Sequence, residues 1–285
     1  MTPFDPARRA ASGSAQGKPV DPTRAAPSGV AQDRAVFTAK SNSRLTPGRI
    51  ARRVALAAPT VAFGVLAYSY LSLPDVRPLK TANPSTTAFM ELRAREAQAR
   101  GQAPRRLQRW VGYSRISPDV KRAVLVAEDA AFWQHEGVDF DQLQESLEAD
   151  WARGRLMRGG STITQQLAKN LYLSPSKNPI RKLRELVIAR RLEAELKKAR
   201  ILELYLNTIE WGDGIYGIEA AARTYFHKSA AEVSASEAAL LAGAIINPRV
   251  HNPARPTARL LRRQQLILRR MGAVTPPQES AQLER

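Results

Sequence analysis

Apolar residues recur three and four positions apart through most of the stretch from Trp110 to Met271, which predicts a mainly α fold. Ser117-Pro118-Asp119 opens the first of these helices, with proline in its first turn. Asp139 caps a second, Phe140 to Arg153. Ser161 or Thr162 caps a third that runs to Leu171 or Tyr172. After a loop from Ser174 to Asn178, a long helix starts at Pro179 or Ile180 and runs to about Lys198. Ala199 to Trp211, Ile218 to Phe226, Ser234 to Ile246 and Ala258 to Met271 follow, with a glycine-rich turn (Gly212, Gly214, Gly217) before the second of them. Period-2 alternation is almost absent, and there is no internal repeat.

One helical face stands out. At helical spacing Val124, Glu128, Phe132 and His135 share a side, flanked by Ala127 and Ala131. A carboxylate on an apolar stripe is costly unless it has a partner, and desolvation raises its pKa toward that of a useful general base. Glu128 is therefore a candidate base. An edge position reaching solvent and a buried structural ion pair are the alternatives.

The N-terminal part is organised differently. Residues 1 to 48 are rich in Ala, Ser, Pro, Gly and Arg without apolar period and are expected to form a disordered basic tail. Val54 to Leu73 carries no charge over twenty residues. That is the length of a helix across a bilayer core of about 30 Å. Arg49, Arg52 and Arg53 precede it, and Tyr68 and Tyr70 lie near its far end. The positive-inside rule then puts the N-terminus in the cytoplasm and the rest of the chain outside. The run is too long for a signal-peptide core. Residues 74 to 108 read as a polar stalk with a helix at Ala88 to Ala99, and residues 273 to 285 as a C-terminal tail.

Composition narrows the chemistry. There are 44 Lys+Arg against 26 Asp+Glu, a net charge of +18, which points to an anionic partner: nucleic acid, an acidic membrane surface or a phosphorylated substrate. With no cysteine, disulfides and thiolate metal sites are excluded, and His135, His227 and His251 lack zinc-ligand spacing.

Three further stretches carry candidate groups. In Gly159-Gly160-Ser161-Thr162-Ile163-Thr164-Gln165-Gln166, followed by Lys169, two glycines feed a helix start whose amides and dipole suit an anion. Thr162, Gln165, Gln166 and Lys169 lie on adjoining faces and form one polar wall, unless the segment is only a capped helix with a polar surface. The spacing of Gly154 and Gly159 faintly resembles a P-loop, but Gly160 stands where its lysine belongs. Arg181-Lys182-Leu183-Arg184-Glu185 offers cations for a diphosphate beside a second carboxylate, or a plain surface pair four residues apart. Ile201 to Asn207 and the glycines after it read as scaffold. Ser174-Pro175-Ser176-Lys177 matches a Ser-x-x-Lys motif without the later elements of an acyl enzyme and is read as a loop.

Taken in order, Glu128-Asp129-x-x-Phe132-x-x-His135-x-Gly137-x-Asp139, the Gly-Gly-Ser-Thr-Ile-Thr-Gln-Gln segment, Arg181-Lys182-x-x-Glu185 and Ile201-Leu202-Glu203-x-Tyr205-Leu206-Asn207 resemble the family 51 glycosyltransferase domain of peptidoglycan synthases, from about residue 109 to 272. With no transpeptidase domain following, the chain resembles the monofunctional biosynthetic form. Ile245-Ile246-Asn247-Pro248 departs from the family's usual Leu-Pro-Asn-Pro.

The resemblance implies a lysozyme-like helical domain behind a single transmembrane helix, on the periplasmic face of the inner membrane. It implies polymerisation of lipid II onto a growing glycan strand by an inverting displacement. Glu128 would be the base and Glu185 the second essential glutamate. Ser161, Thr162, Gln165, Gln166, Lys169, Arg181 and Lys182 would hold sugars and diphosphate, with Asp129 a secondary candidate and Phe132 and His135 as packing and positioning groups. A divalent cation such as Mg2+ at the diphosphate is the one cofactor it admits. Other cell-wall synthesis or division proteins are conceivable partners, and nucleic acid is not expected. A muralytic glycosidase of the same fold is the alternative enzyme. It would use a glutamate as acid on a neutral glycosidic oxygen and would not need the cationic stretch. Leu156 and Met157 are expected to dip into the headgroup region.

Overall fold

The computed structural model describes residues 47–139, 160–174 and 178–272. The expected tails, the helix Phe140 to Arg153, and Leu156 and Met157 lie outside these. The chain divides into two compact units, Met1–Arg53 and Val54–Arg285, and the features below belong to the second unless stated.

Among the described residues the helices are α1 (Pro47–Leu71), α2 (Ala88–Ala99), α3 (Pro118–Glu128), α4 (Ile163–Tyr172), α5 (Pro179–Glu195), α6 (Lys198–Thr208), α7 (Ile218–Phe226), α8 (Ala235–Ala244) and α9 (Ala258–Met271). The starts of α3, α4, α5, α8 and α9 follow from side-chain caps. Ser117, Thr162, Asn178, Ser234 and Thr257 each accept a backbone N–H of the first turn, and Ser234 with Glu237 forms a reciprocal capping box. Helices α3, α8 and α9 pack together, as do α4, α5 and α6. Phe132, Leu167, Ile188, Leu202, Tyr205 and Trp211 lie in the core.

The stripe expected to run from Val124 to His135 is not one helix. Helix α3 ends at Glu128, and Asp129 is its extended C-cap (φ −165°). Phe132 and His135 sit in the turns that follow. The break is made by side-chain bonds: Asp129 turns back to the α4 amide of Ile163 and to His135. The helix expected to reach Trp211 likewise stops at Thr208. Residues Glu210–Gly212 (β2) and Ile215–Tyr216 (β3) form a hairpin, and Leu107–Gln108 (β1) joins β3 in parallel. Gly214 turns the hairpin at φ 69° with Arg105 against it, where a Cβ would fall 2.6 Å from the Arg105 carbonyl oxygen.

Residues 74 to 108 do not hang free as a stalk. Val76, Leu79, Thr87 and Met90 are buried. Arg200 donates to the carbonyls of Leu79 and Ala82 and to Asn83 Oδ1, and Arg93 pairs with Glu210 at 3.1 Å. Asn207, fully buried, binds both backbone groups of Val111 at 2.9 Å, substituting for a strand partner. The segment is a strap on the helical body.

The expected membrane span falls on α1. Val61, Phe63, Val65, Tyr68 and Leu71 are exposed along it. Among the described residues, however, no helix is long and apolar enough to cross a membrane. Pro59 lies inside α1, and Arg49, Arg52 and Arg53 occupy its opening turns.

Candidate active site

The α3 C-terminus, the α4 N-terminus and the α5 N-terminus carry the predicted site residues. Glu128, the last residue of α3, keeps 14% of its side chain exposed. Its Oε2 accepts from Gln166 Nε2 at 2.9 Å, and Arg263 Nη2 lies 3.9 Å from Oε1. Burial raises its pKa above the ordinary glutamate value; Gln166, Arg263 and Lys169 oppose that, and Asp129 adds to it. A desolvated carboxylate with one oxygen held and the other near a distant cation is arranged to take a proton.

Gln166 is itself oriented. The Tyr205 hydroxyl donates to Gln166 Oε1 at 2.9 Å. Tyr205 is fully buried and desolvation holds its pKa well above the usual phenol value, so it remains the donor. The amide therefore has to turn its NH2 to Glu128.

Asp129 serves the frame. Oδ2 accepts the Ile163 amide at 2.9 Å and Oδ1 contacts His135 Nε2 at 2.9 Å. His135 Nδ1 accepts the Gly137 amide at 3.2 Å, which leaves the ring proton on Nε2, facing Asp129. Thr162 is fully buried, with its hydroxyl 2.8 Å from the Gly137 carbonyl oxygen. Gln165 Nε2 donates to the same carbonyl at 3.3 Å. These two residues do not face outward in a polar wall, as expected from the helix face. They hold the turn after α3. Ser161 is exposed and Gln166 half-buried.

The second carboxylate is no surface ion. Glu185 is 3% exposed, with Oε2 on Arg181 Nη1 and Oε1 on Lys182 Nζ, each at 2.5 Å. Lys182 also donates to Ser161 Oγ at 3.2 Å and Gln165 Oε1 at 3.0 Å. Lys169 feels both carboxylates: burial, with the cations Arg181 and Lys182, holds its pKa below the ordinary lysine value, while Glu185 and Glu128 oppose that. The result is one carboxylate oriented as a base and a second held within a cationic cluster, with Lys169 under the influence of both.

A divalent cation does not fit this cluster. Both oxygens of Glu185 are already engaged by cations. Asp129, His135 and Asp139 bring ligand atoms within 4.8 Å of one another, but His135 offers no lone pair there: one ring nitrogen takes the Gly137 amide and the other carries the proton shared with Asp129.

The transglycosylase family model matches residues 95–272, which contain every one of these groups. The chain belongs to the transglycosylase family. It is 50% identical over 199 residues to the biosynthetic peptidoglycan transglycosylase of Laribacter hongkongensis, covering 70% of this chain and 87% of that one. It is 47% identical to the protein of the same description from Nitrosospira multiformis over 195 residues, 68% and 85% of the two chains. With that from Chromobacterium violaceum the identity is 45% over 223 residues, 78% and 96%. The family match begins inside α2, in keeping with a strap that is part of the folded body.

Sequence reasoning missed Tyr205 and Arg263. Tyr205 lay in a stretch taken as scaffold. Arg263 stands in a helix with Arg259, Arg262, Arg269 and Arg270, where charge alone gives no sign of which arginine turns inward.

Proposed function

We propose that the chain is a peptidoglycan glycosyltransferase that polymerises lipid II in cell-wall biosynthesis, as the names of its relatives suggest. The observation that carries this is the pairing of Glu128, held as a base by Gln166, with the cationic cluster Lys169, Arg181 and Lys182. In the reaction, the 4-hydroxyl of the acceptor N-acetylglucosamine attacks C1 of the donor sugar and gives its proton to Glu128. The C1–O bond to undecaprenyl diphosphate breaks and the new β-1,4 bond forms with inversion. The hydroxyl is a poor nucleophile, and a base there is worth about 10²–10⁴ in rate. The diphosphate is already negative in the donor and gains further charge as the C1–O bond breaks, so Lys169, Arg181 and Lys182 stabilise it without a proton donor. Glu185 then acts through Arg181 and Lys182, fixing their positions. Ser161 and Gln166 line the substrate side, while Asp129, Thr162 and Gln165 hold the frame.

In this reading the body has a lysozyme-like fold, and α1 holds it at the periplasmic side of the inner membrane, with the N-terminus in the cytoplasm. Its support is the uncharged run Val54 to Leu73, the exposed apolar side chains on α1 and the arginines before them. The muralytic alternative leaves the cationic cluster without a task.

Incubation with lipid II and, separately, with finished sacculi tests the proposal. Glycan strands are expected from the first and no muropeptides from the second, with Glu128→Gln inactive but folded. Synthesis is expected to persist with a chelator present. Muropeptide release, or polymerisation by Glu128→Gln, would overturn it.

A further inference from the structure

Two cations act on Glu128, and they come from different helical groups. Lys169 stands on α4, which packs with α5 and α6, and belongs with the cations set aside for the leaving diphosphate. Arg263 stands on α9, which packs with α3 and α8. The other arginines of α9, Arg259, Arg262, Arg269 and Arg270, are exposed. Arg263 turns inward with its stem laid along α8, where a Cβ at Gly243 would fall 3.6 and 3.7 Å from its Cγ and Cδ. Only the end of the side chain is left free.

That end does not close on the carboxylate. Arg263 Nη2 lies 3.9 Å from Glu128 Oε1, whereas a paired guanidinium and carboxylate meet at about 2.7–2.9 Å. Gln166 holds Oε2; among the described residues, neither Oε1 nor Nη2 has a hydrogen bond. Both atoms reach the surface, while Nε of the same guanidinium is sealed off.

A group bridging this gap has to donate to Oε1 and accept from Nη2. An ionised phosphate has no donor and would set its charge against Glu128. One hydroxyl could do both, but at about 2.8 Å from each atom the 3.9 Å gap would pinch it to about a right angle. Two neighbouring hydroxyls fit without that strain, since the oxygens of a vicinal diol stand about one hydrogen-bond length apart, roughly 2.8 Å. We propose that Arg263 binds the 3-hydroxyl of the acceptor N-acetylglucosamine, beside the 4-hydroxyl that faces Glu128. The proposal rests on the glycosyl transfer set out above. The 4-hydroxyl gives its proton to Oε1, its oxygen bonds to C1 of the donor, and the electrons of the C1–O bond leave with the diphosphate. Arg263 moves no proton. It decides which oxygen of the sugar faces the base, and a sugar lacking or substituted at the 3-oxygen is selected against.

Single-coupling kinetics test this, with the full chain in detergent, a lipid II donor blocked at its own 4-oxygen, and acceptor analogues whose diphosphate cannot leave. All rates are read at a pH above the acid limb, where Glu128 is ionised in every variant. Removing the acceptor's 3-hydroxyl should lower wild-type kcat/KM at least about tenfold, and removing its 6-hydroxyl should change it little. Arg263→Gln should lower the rate on the natural acceptor by a similar factor and then become indifferent to the 3-hydroxyl, because both changes delete one contact. Arg263→Lys, which keeps the stem and the charge, should fall between, and Arg262→Gln should behave as wild type. A wild type indifferent to the 3-hydroxyl, losses that multiply, or Arg263→Gln at the wild-type rate would each overturn the proposal and leave Arg263 a counter-ion. Absence of coupling between the natural donor and acceptor would instead overturn the glycosyl transfer on which it rests.

Discussion

Gln166 Nε2 reaches Glu128 Oε2 at 2.9 Å only because the far side of the same amide is held by Tyr205, whose hydroxyl lies 2.9 Å from Gln166 Oε1. Without that hydroxyl the amide can rotate and present its oxygen to the carboxylate. Tyr205→Phe is expected to lower kcat about five- to tenfold, the equivalent of one hydrogen bond of about 1 kcal/mol or a little more, with KM for lipid II nearly unchanged. A change confined to KM would assign Tyr205 to substrate binding instead.

The pH profile follows from the same contacts. Burial raises the Glu128 pKa above the ordinary 4.5, while Gln166 and Arg263 favour the anion and hold it down. A base works ionised, so the rate should rise with pH through the folded-state pKa. Gln166→Leu and Arg263→Gln each remove a group that stabilises the anion. Both should raise the pKa and move the acid limb of kcat/KM toward higher pH, and Arg263→Lys should move it less. A limb displaced to lower pH would count against Glu128 as the base.

The starts of α3, α4, α5, α8 and α9 were legible because each is written by a local cap: Ser117, Thr162, Asn178, Ser234 and Thr257 sit where their first-turn bonds require. The ends were harder. No glycine or proline marks the stop at Glu128, and the spacing of Val124, Glu128, Phe132 and His135 mimics a continuing helix. The stop is imposed by Ile163 and His135, which meet Asp129 only in three dimensions. Strands of two or three residues cannot show alternation. At the site, Glu128, Lys169, Arg181, Lys182 and Glu185 do come together, whereas Thr162 and Gln165 turned inward because the Gly137 carbonyl needed donors. A face assigned from periodicity does not show which polar groups the neighbouring loop will claim.

Glu185 separates two kinds of loss. Arg181→Ala leaves a buried carboxylate with Lys182 alone, and Lys182 is 49% exposed. The expected destabilisation is about 2–4 kcal/mol, below the full cost of an orphaned buried charge because Lys182 remains. Glu185→Gln removes the charge and still offers a hydrogen-bonding group, at about 1–2 kcal/mol. Both should lose polymerisation, Arg181→Ala because a cation of the cluster is gone and Glu185→Gln because the cations lose their anchor. Denaturant unfolding of the two variants gives the order, and a more damaging Glu185→Gln would show that the carboxylate itself is the stabilising element.

Asp129→Asn tests the tautomer assigned to His135. Asp129 accepts on both oxygens, from the Ile163 amide and from His135 Nε2, while His135 Nδ1 is occupied by the Gly137 amide. An asparagine amide has one acceptor and one NH2, so in either orientation an N–H faces another N–H. The ring cannot relieve this by moving its proton, because Nδ1 already accepts. About 1–3 kcal/mol of stability should be lost. The turn after α3 should loosen, which nitrogen NMR would register as a shift of the Gly137 amide. With the frame loosened, Glu128 is held less firmly and kcat should fall. Wild-type stability in Asp129→Asn would mean that Nδ1 carries the proton and that Gly137 does not hold the ring.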